Sequence, residues 1–141
     1  MEKRIIPISL PVTGNDEWQA LKEPLETGWL TAGPKVRAFE DAFAERHQVK
    51  YAVAVTSATT ALHLALIALD IKAGDEVIVP AFTWVSTANV VLYQGAEVVF
   101  CDIDPNTFNL DPKKLKEKIT PQTKAIMVVH LFGLCAPMDE I

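Results

Sequence analysis

The stretch YAVAVTSATTALHLALIALDIKAGDEVIVP, residues 51–80, changes its hydrophobic pattern twice. Tyr51-Ala-Val-Ala-Val55 is a short apolar run of strand length, Thr56-Ser-Ala-Thr-Thr60 is a hydroxyl-rich turn, and Ala61 to Leu69 is a run of helical length. After a turn at Ala73-Gly74-Asp75, Glu76-Val-Ile-Val-Pro80 reads again as a buried strand. The cycle repeats toward the C-terminus. Thr83 to Tyr93 predicts a helix stopped before Gly95, and Glu97-Val-Val-Phe-Cys101 a third strand. Asp111 caps and Pro112 opens a helix through Ile119, and Lys124-Ala-Ile-Met-Val-Val129 is a fourth strand. Strands alternating with helices mean an α/β fold, a parallel sheet with helices on both faces.

The chain before Tyr51 is organised differently. Residues 1–14 lack periodicity and carry Pro7, Pro11 and Gly14, which predicts an extended arm. Asn15 or Asp16 then caps a short helix with Trp18, Leu21 and Leu25 on one stripe and Gly28 as its stop. Gly28 to Pro34 is a loop, and Pro34 opens a second helix whose stripe, Val36, Phe39 and Phe43, runs to His47. The division expected is an N-terminal arm and helices over 1–48 and an α/β domain over 49–141. At the far end, Pro137-Met-Asp-Glu-Ile141 resembles the first turn of a further helix.

Half of the 141 residues are apolar, enough for a sizeable core in one ordinary domain. Eighteen acidic residues against thirteen Lys and Arg give a net charge of -5, and no basic run is longer than the pair Lys113-Lys114. That balance disfavours nucleic acid and anionic membranes as partners. Cys101 and Cys135 match neither a zinc spacing nor a disulfide framework, so no metal site is expected and a reducing compartment fits. The apolar stretch near the N-terminus is interrupted by Pro7, Ser9 and Pro11, too short for a signal-peptide core, and no apolar run approaches the roughly 20 residues of a membrane span. A soluble, cytoplasmic protein is the expectation.

In parallel α/β sheets ligands bind beyond the carboxyl ends of strands, which points to Thr56–Thr60, Ala81–Trp84, Asp102–Phe108 and His130–Cys135. The first turn suits an anion: backbone N–H groups around Ser57, Ala58 and Thr59 open a helix N-terminus, and hydroxyls add donors. A phosphate is the natural guest, although Ser57 or Thr59 equally reads as a plain helix cap. Trp84, just past a strand end, reads either as a core aromatic or as a flat surface for a planar ring held by that phosphate. His63 reads as a packed core histidine and His47 as a solvated one; His130 at a strand end fits either a structural or a chemical role. Asp102 and Asp104 suit a turn better than a metal or an acid–base pair. Neither Gly-x-Gly-x-x-Gly after the first strand nor Gly-x-x-x-x-Gly-Lys-Ser/Thr occurs, which removes the phosphate-cradling glycines of dinucleotide folds and P-loops.

Four segments in register carry a resemblance: Gly28-Trp-Leu-Thr-Ala-Gly-Pro34, Val53-Ala-Val-Thr-Ser-Ala-Thr-Thr-Ala-Leu-His-Leu-Ala65, Gly74-Asp-Glu-Val-Ile-Val-Pro-Ala-Phe-Thr-Trp84 and His130-Leu-Phe-Gly133. Together they resemble the N-terminal part of the DegT/StrS family, pyridoxal-phosphate-dependent aminotransferases that act on nucleotide-linked keto sugars. The resemblance spans nearly the whole chain. It implies the N-terminal part of the large domain of a type I, aspartate aminotransferase-like enzyme. It also implies that Ser57, Ala58 and Thr59 hold the phosphate of pyridoxal phosphate and that Trp84 lies over its ring. Trp29, Leu30 and Thr31 match a segment lining the sugar side, while Asp102 and Asp104 match a structural turn. A nucleotide-linked keto sugar, glutamate as amino donor and a homodimer with the active site between subunits are the implied partners.

Transamination also requires a lysine to form the Schiff base and an acidic residue to keep the pyridine nitrogen protonated. In the family these lie in stretches like Ser-Phe-x-x-x-Lys and Glu-Asp-x-Ala-Gln, and no stretch here matches either. No catalytic residue is therefore expected in these residues, and the chain reads as an incomplete cofactor domain, truncated before the lysine region and inactive alone. The rivals are a sugar dehydratase of the same family, with histidine at the lysine's place, a non-catalytic cofactor-binding or regulatory protein, and an interaction module. The family sheet also places later strands beside residues 51–55. Without them, buried backbone groups would go unpaired at about 1–3 kcal/mol each, so the isolated chain is expected to be unstable.

Overall fold

The computed structural model describes Pro7 and residues 9–141, which fall into two compact units divided between Ala54 and Val55. The first six residues of the expected arm, and Ile8, lie outside the described residues.

The first unit holds two helices, α1 (Asn15–Thr27) and α2 (Pro34–His47). The N-cap of α1 is Gly14 rather than Asn15 or Asp16, and the Glu17 carboxylate accepts the Gly14 N–H at 2.6 Å. The backbone N–H of Glu17 itself and, after it, that of Gly14 hold the Glu17 carboxyl below its usual range. Gly28 stops the helix in the left-handed region at φ 71°, as a residue without Cβ does at no steric cost. Pro34 occupies the first turn of α2, where its missing N–H would have had no partner. Neither helix buries a residue fully: Trp18, Leu21 and Leu25 on α1 and Phe39 and Phe43 on α2 remain exposed. His47 is exposed, as expected, and its ring also stacks on Phe43 at 4.3 Å.

Between the helices, the Trp29 indole donates Nε1–H to the Ala32 carbonyl at 3.0 Å and lies across Gly33. A Cβ at Gly33 would sit 2.0 Å from that nitrogen. Gly33→Ala is therefore expected to swing the indole off the Ala32 carbonyl, losing a bond of about 0.5–1.5 kcal/mol. The Trp29 indole N–H resonance in an NMR spectrum reports it; an unmoved resonance would refute this account of the loop.

The second unit holds α3 (Ala58–Ala68), β1 (Glu76–Pro80), α4 (Ser86–Tyr93), β2 (Glu97–Cys101), α5 (Pro112–Lys118) and β3 (Thr123–Ile126). The strands form one parallel sheet in the order β2-β1-β3. β1 and β2 pair without a break from Glu76 opposite Glu97 to Pro80 opposite Cys101. The register of β1 against β3 shifts after Glu76, so that Lys124 bulges out of the ladder.

Because side chains alternate along a strand, β1 supplies two cores. Val77 and Val79 pack with Leu66 of α3 and Val90 and Val91 of α4, whereas Ile78 packs with Cys101, Leu110 and Leu115 of α5. Helices therefore cover both faces. Val77, Ile78 and Val79 are each 0% exposed, burial that contributes roughly 1.5–3 kcal/mol per side chain. The same burial pushes the Cys101 thiol above its ordinary pKa, making it a poor nucleophile.

Three elements differ from expectation. Residues 51–55 form no hydrogen-bonded strand; within the first unit Ala54 N–H is accepted by the Glu40 carboxylate at 2.9 Å, and Tyr51 and Val53 are exposed. The segment has no neighbouring strand, so it stays in contact with water instead of burying unpaired backbone. The fourth strand stops at Ile126 rather than Val129, with Met127 N–H still donating to Ile78 at 2.8 Å. Its neighbour β1 ends at Pro80, which carries no N–H to extend the ladder. Helix α4 begins at Ser86 because Thr83–Val85 form its entry turn, with Thr87 N–H donating to the Trp84 carbonyl at 3.0 Å.

Candidate functional site

Helices α3 and α4 pack on the same face of the sheet, and their N-terminal ends meet. Ser57 caps α3 from an extended backbone (φ -162°, ψ 160°), its Oγ accepting the Thr60 N–H at 3.1 Å. The next donors, Ala58 N–H and Thr59 N–H, have no acceptor among the described residues. Neither helix carries an acidic residue in its first turn, so nothing on the helices offsets the positive ends of their dipoles. Thr59 Oγ1 donates to Ser86 Oγ, the first residue of α4, at 2.8 Å. The result is two helix N-termini side by side, rimmed by hydroxyls, at the carboxyl end of β1.

Trp84 lies in the same β1–α4 turn, two residues before Ser86, and its indole is 77% exposed. The core-aromatic alternative is thereby removed. Nearby, the Phe82 ring tilts against Phe108 at 5.8 Å, and Phe108 itself holds φ 59°, a conformation that bulky residues seldom adopt.

The remaining loops at this edge are held by hydrogen bonds and an ion pair within the chain. Asp104 Oδ1 accepts the N–H groups of Asn106 (2.7 Å) and Thr107 (3.4 Å), a turn that lowers its carboxyl pKa chiefly through the Asn106 bond. The Asp102 carboxylate pairs with Lys114 at 2.6 Å, which lowers its own pKa and raises that of the lysine. Among the described residues no group of three or more His, Cys, Asp or Glu is placed to hold a metal ion. His63 is half-buried with its ring edge-on to Tyr93 at 5.4 Å, as a packed histidine would be. His130 is exposed, and its Nδ1 accepts the Ala136 N–H at 3.0 Å, which leaves Nε2 as the protonated nitrogen of the neutral ring.

Asn109 is the residue that local sequence reading missed. It is 2% exposed, and its amide accepts the Leu131 N–H and donates to the Leu134 carbonyl, both at 3.0 Å, pinning the His130–Leu134 loop from both ends. The signal lies in pairing across more than twenty residues, which no local pattern reveals.

Trp29, Leu30 and Thr31 belong to the first unit. Trp29 and Thr31 line a cavity of about 100 Å³ with Glu23, Thr27 and Lys35, whereas Leu30 is 69% exposed.

Residues 11–141 match the DegT/DnrJ/EryC1/StrS aminotransferase family. The chain belongs to this family. It is 52% identical over 136 residues to the spore coat polysaccharide biosynthesis protein SpsC of Bacillus subtilis (strain 168), a match covering 96% of this chain and 35% of that protein. Among solved structures it is similar to Spr1654 of Streptococcus pneumoniae, described as a sugar aminotransferase, in its PMP form (TM-score 0.90, 38% identity, 96% of this chain and 34% of that one). It is also similar to GDP-4-keto-6-deoxymannose-3-dehydratase (TM-score 0.88, 38% identity, 95% of this chain and 36% of that one). The DegT-family chain described here thus spans about a third of the length of these relatives. In fold it is a piece of the type I domain that these enzymes share.

Proposed function

We propose that these residues form the phosphate-holding, N-terminal part of a pyridoxal-phosphate-dependent aminotransferase that converts a nucleotide-linked keto sugar to an amino sugar with glutamate as donor. The observation that carries this reading is the exposed start of α3, where Ala58 and Thr59 offer free N–H groups beside hydroxyls, next to the exposed Trp84. These residues fit the cofactor. A phosphate dianion needs several donors in a concave arrangement, a helix N-terminus supplies them together with favourable dipole, and an exposed indole offers a face for a planar ring. Relatives solved in PLP and PMP forms support the assignment.

When bound, pyridoxal phosphate supplies an electron-withdrawing ring through which an amino group passes between donor and acceptor. The chain's own part is to bind and orient. Ser57, Ala58 and Thr59 would anchor the phosphate, Trp84 would fix the plane of the ring, and Trp29, Leu30 and Thr31 would line the sugar side. The lysine and aspartate of the chemistry match no stretch of these residues, so we place them elsewhere in the longer protein, with 49–141 as an incomplete cofactor domain. The family resemblance supports a homodimer, and two free cysteines fit a cytoplasmic setting. No helix among the described residues is long and apolar enough to cross a membrane.

The similarity to a sugar dehydratase favours one alternative, loss of water from the same class of substrate. Incubating the full-length protein with pyridoxal phosphate, glutamate and a nucleotide-linked keto sugar separates the readings. Amino sugar and 2-oxoglutarate formed together support transamination. A deoxy product shows the dehydratase, and cofactor retained with no product a binding protein.

Trp84→Ala in that protein is expected to weaken cofactor binding roughly two- to tenfold, the loss of a stacking interaction of about 0.5–1.5 kcal/mol. A dissociation constant equal to wild type would remove Trp84 from the site.

A further inference from the structure

The turn that carries Trp84 has little backbone support. Ala81 N–H donates to the Cys101 carbonyl at 2.8 Å and the Trp84 carbonyl accepts Thr87 N–H at 3.0 Å, but the N–H groups of Phe82, Thr83 and Trp84 have no acceptor among the described residues. Side chains therefore set the path between the two anchors. The Thr83 hydroxyl lies 3.1 Å from that of Thr87, a residue only 4% exposed. The Phe82 ring leans on Phe108, with 5.8 Å between centroids and 49° between planes, a separation at which aromatic rings attract.

Phe108 keeps its place against a steric cost. Gln48 and Asp70 reach positive φ at or just after the ends of α2 and α3, where that conformation is ordinary, whereas Phe108 at 59° belongs to a loop. A bulky residue stays there only where its surroundings fix it. Phe108 N–H donates to the Asp104 carbonyl at 2.8 Å, the Asn109 carbonyl accepts Asp104 N–H at 2.9 Å, and the buried Asn109 amide is tied to Leu131 and Leu134. The ring is thus presented to Phe82 from a loop anchored in two directions.

We infer that Phe108 is a positioning residue for Trp84: its ring braces Phe82 and, through Phe82, the turn that sets the plane of the indole. This inference rests on the reading of Trp84 as the face for the cofactor ring. The competing account is that the Phe82 and Phe108 pair only covers the end of the sheet.

The test uses the full-length protein and pyridoxamine phosphate, which binds without a covalent bond to a lysine. Titration gives the dissociation constant, and the circular dichroism band of the bound ring reports its orientation against neighbouring aromatics. Phe108→Gly removes the side chain and leaves a residue that takes φ 59° at no steric cost, so the loop survives. It is expected to weaken binding about two- to fivefold, short of the loss in Trp84→Ala, and to change the dichroism band. Phe82→Ala should do the same, whereas Phe108→Tyr keeps the ring and should match wild type. On a Trp84→Ala background Phe108→Gly should add no further loss, because the path to the cofactor ends at the indole.

Wild-type affinity and an unchanged band in Phe108→Gly would overturn the inference. An equal loss on the wild-type and Trp84→Ala backgrounds would do so too, since it would mark a pair that acts on the fold and not on the indole. Wild-type affinity in Trp84→Ala would instead overturn the cofactor reading of Trp84 itself.

Discussion

Replacing Ala58 by proline is expected to lower the affinity of the full-length protein for pyridoxamine phosphate about ten- to a hundredfold while leaving its thermal stability nearly unchanged. The substitution is chosen for what it leaves alone. Ala58 is the first residue of α3, where a helix accepts proline because the N–H has no partner within the helix. Proline also requires an extended residue before it, and Ser57 already has φ -162° and ψ 160°. Ala58 is exposed, so the ring has room. Only the donor is removed. If that N–H holds a phosphate oxygen, binding loses a hydrogen bond to a charged group, and the Ser57 cap on Thr60 survives. Titration and a thermal melt on the same sample check both halves. Ala58→Gly, which keeps the N–H, should bind much as wild type does; unchanged affinity in Ala58→Pro would exclude this end of α3 from the site.

The second large effect concerns the 141 residues in isolation. They are expected to melt without a cooperative transition and to bind a hydrophobic dye such as ANS. Neither α1 nor α2 buries a residue fully, Val53 is 76% exposed, and Ile67 and Leu69 of the second unit face water. Leu62, Leu66, Ala125 and Met127 line an open apolar groove beside β3. Completing such surfaces with further chain would bury apolar area at roughly 25 cal/mol per Å², whereas here it is left to solvent. The three-stranded sheet keeps its own core, so retention of secondary structure with loss of cooperativity is the outcome expected by circular dichroism and calorimetry. A single sharp transition whose calorimetric and van't Hoff enthalpies agree would refute this.

The elements that sequence reading placed well are those specified locally. β1 and β2 occupy the predicted 76–80 and 97–101, because short apolar runs bounded by Gly, Asp and Pro leave little choice of length. Gly28, Pro34 and Asp111 act as the helix punctuation they predict, Asp111 Oδ1 accepting the Lys113 N–H at 2.9 Å. Residues 51–55 mislead for a physical reason: their apolar pattern is that of a strand, but a strand exists only with a neighbour, and none pairs with them here. The same logic shortens β3.

At the site, the helix start at Ser57–Thr59 is legible in the sequence, which offers it both as a plain cap and as an anion site; the Ser57 cap is what the fold displays directly. The contacts of Ser86 and Asn109 are not legible in the sequence. Each depends on a contact with a residue more than twenty positions away, Thr59 and Leu134 respectively, which only the folded chain brings within 3.0 Å.

The strand order β2-β1-β3 has one more consequence, which concerns time. The three described strands all lie between Glu76 and Ile126, so a ribosome adding about 5–20 residues per second makes them within roughly 3–10 s. The earliest of these strands becomes the centre, and each later one joins it directly on one side or the other. No strand has to wait for a distant partner before it can pair. These three strands can thus pair while synthesis is under way, and the apolar segment 51–55, made first, is the part left waiting.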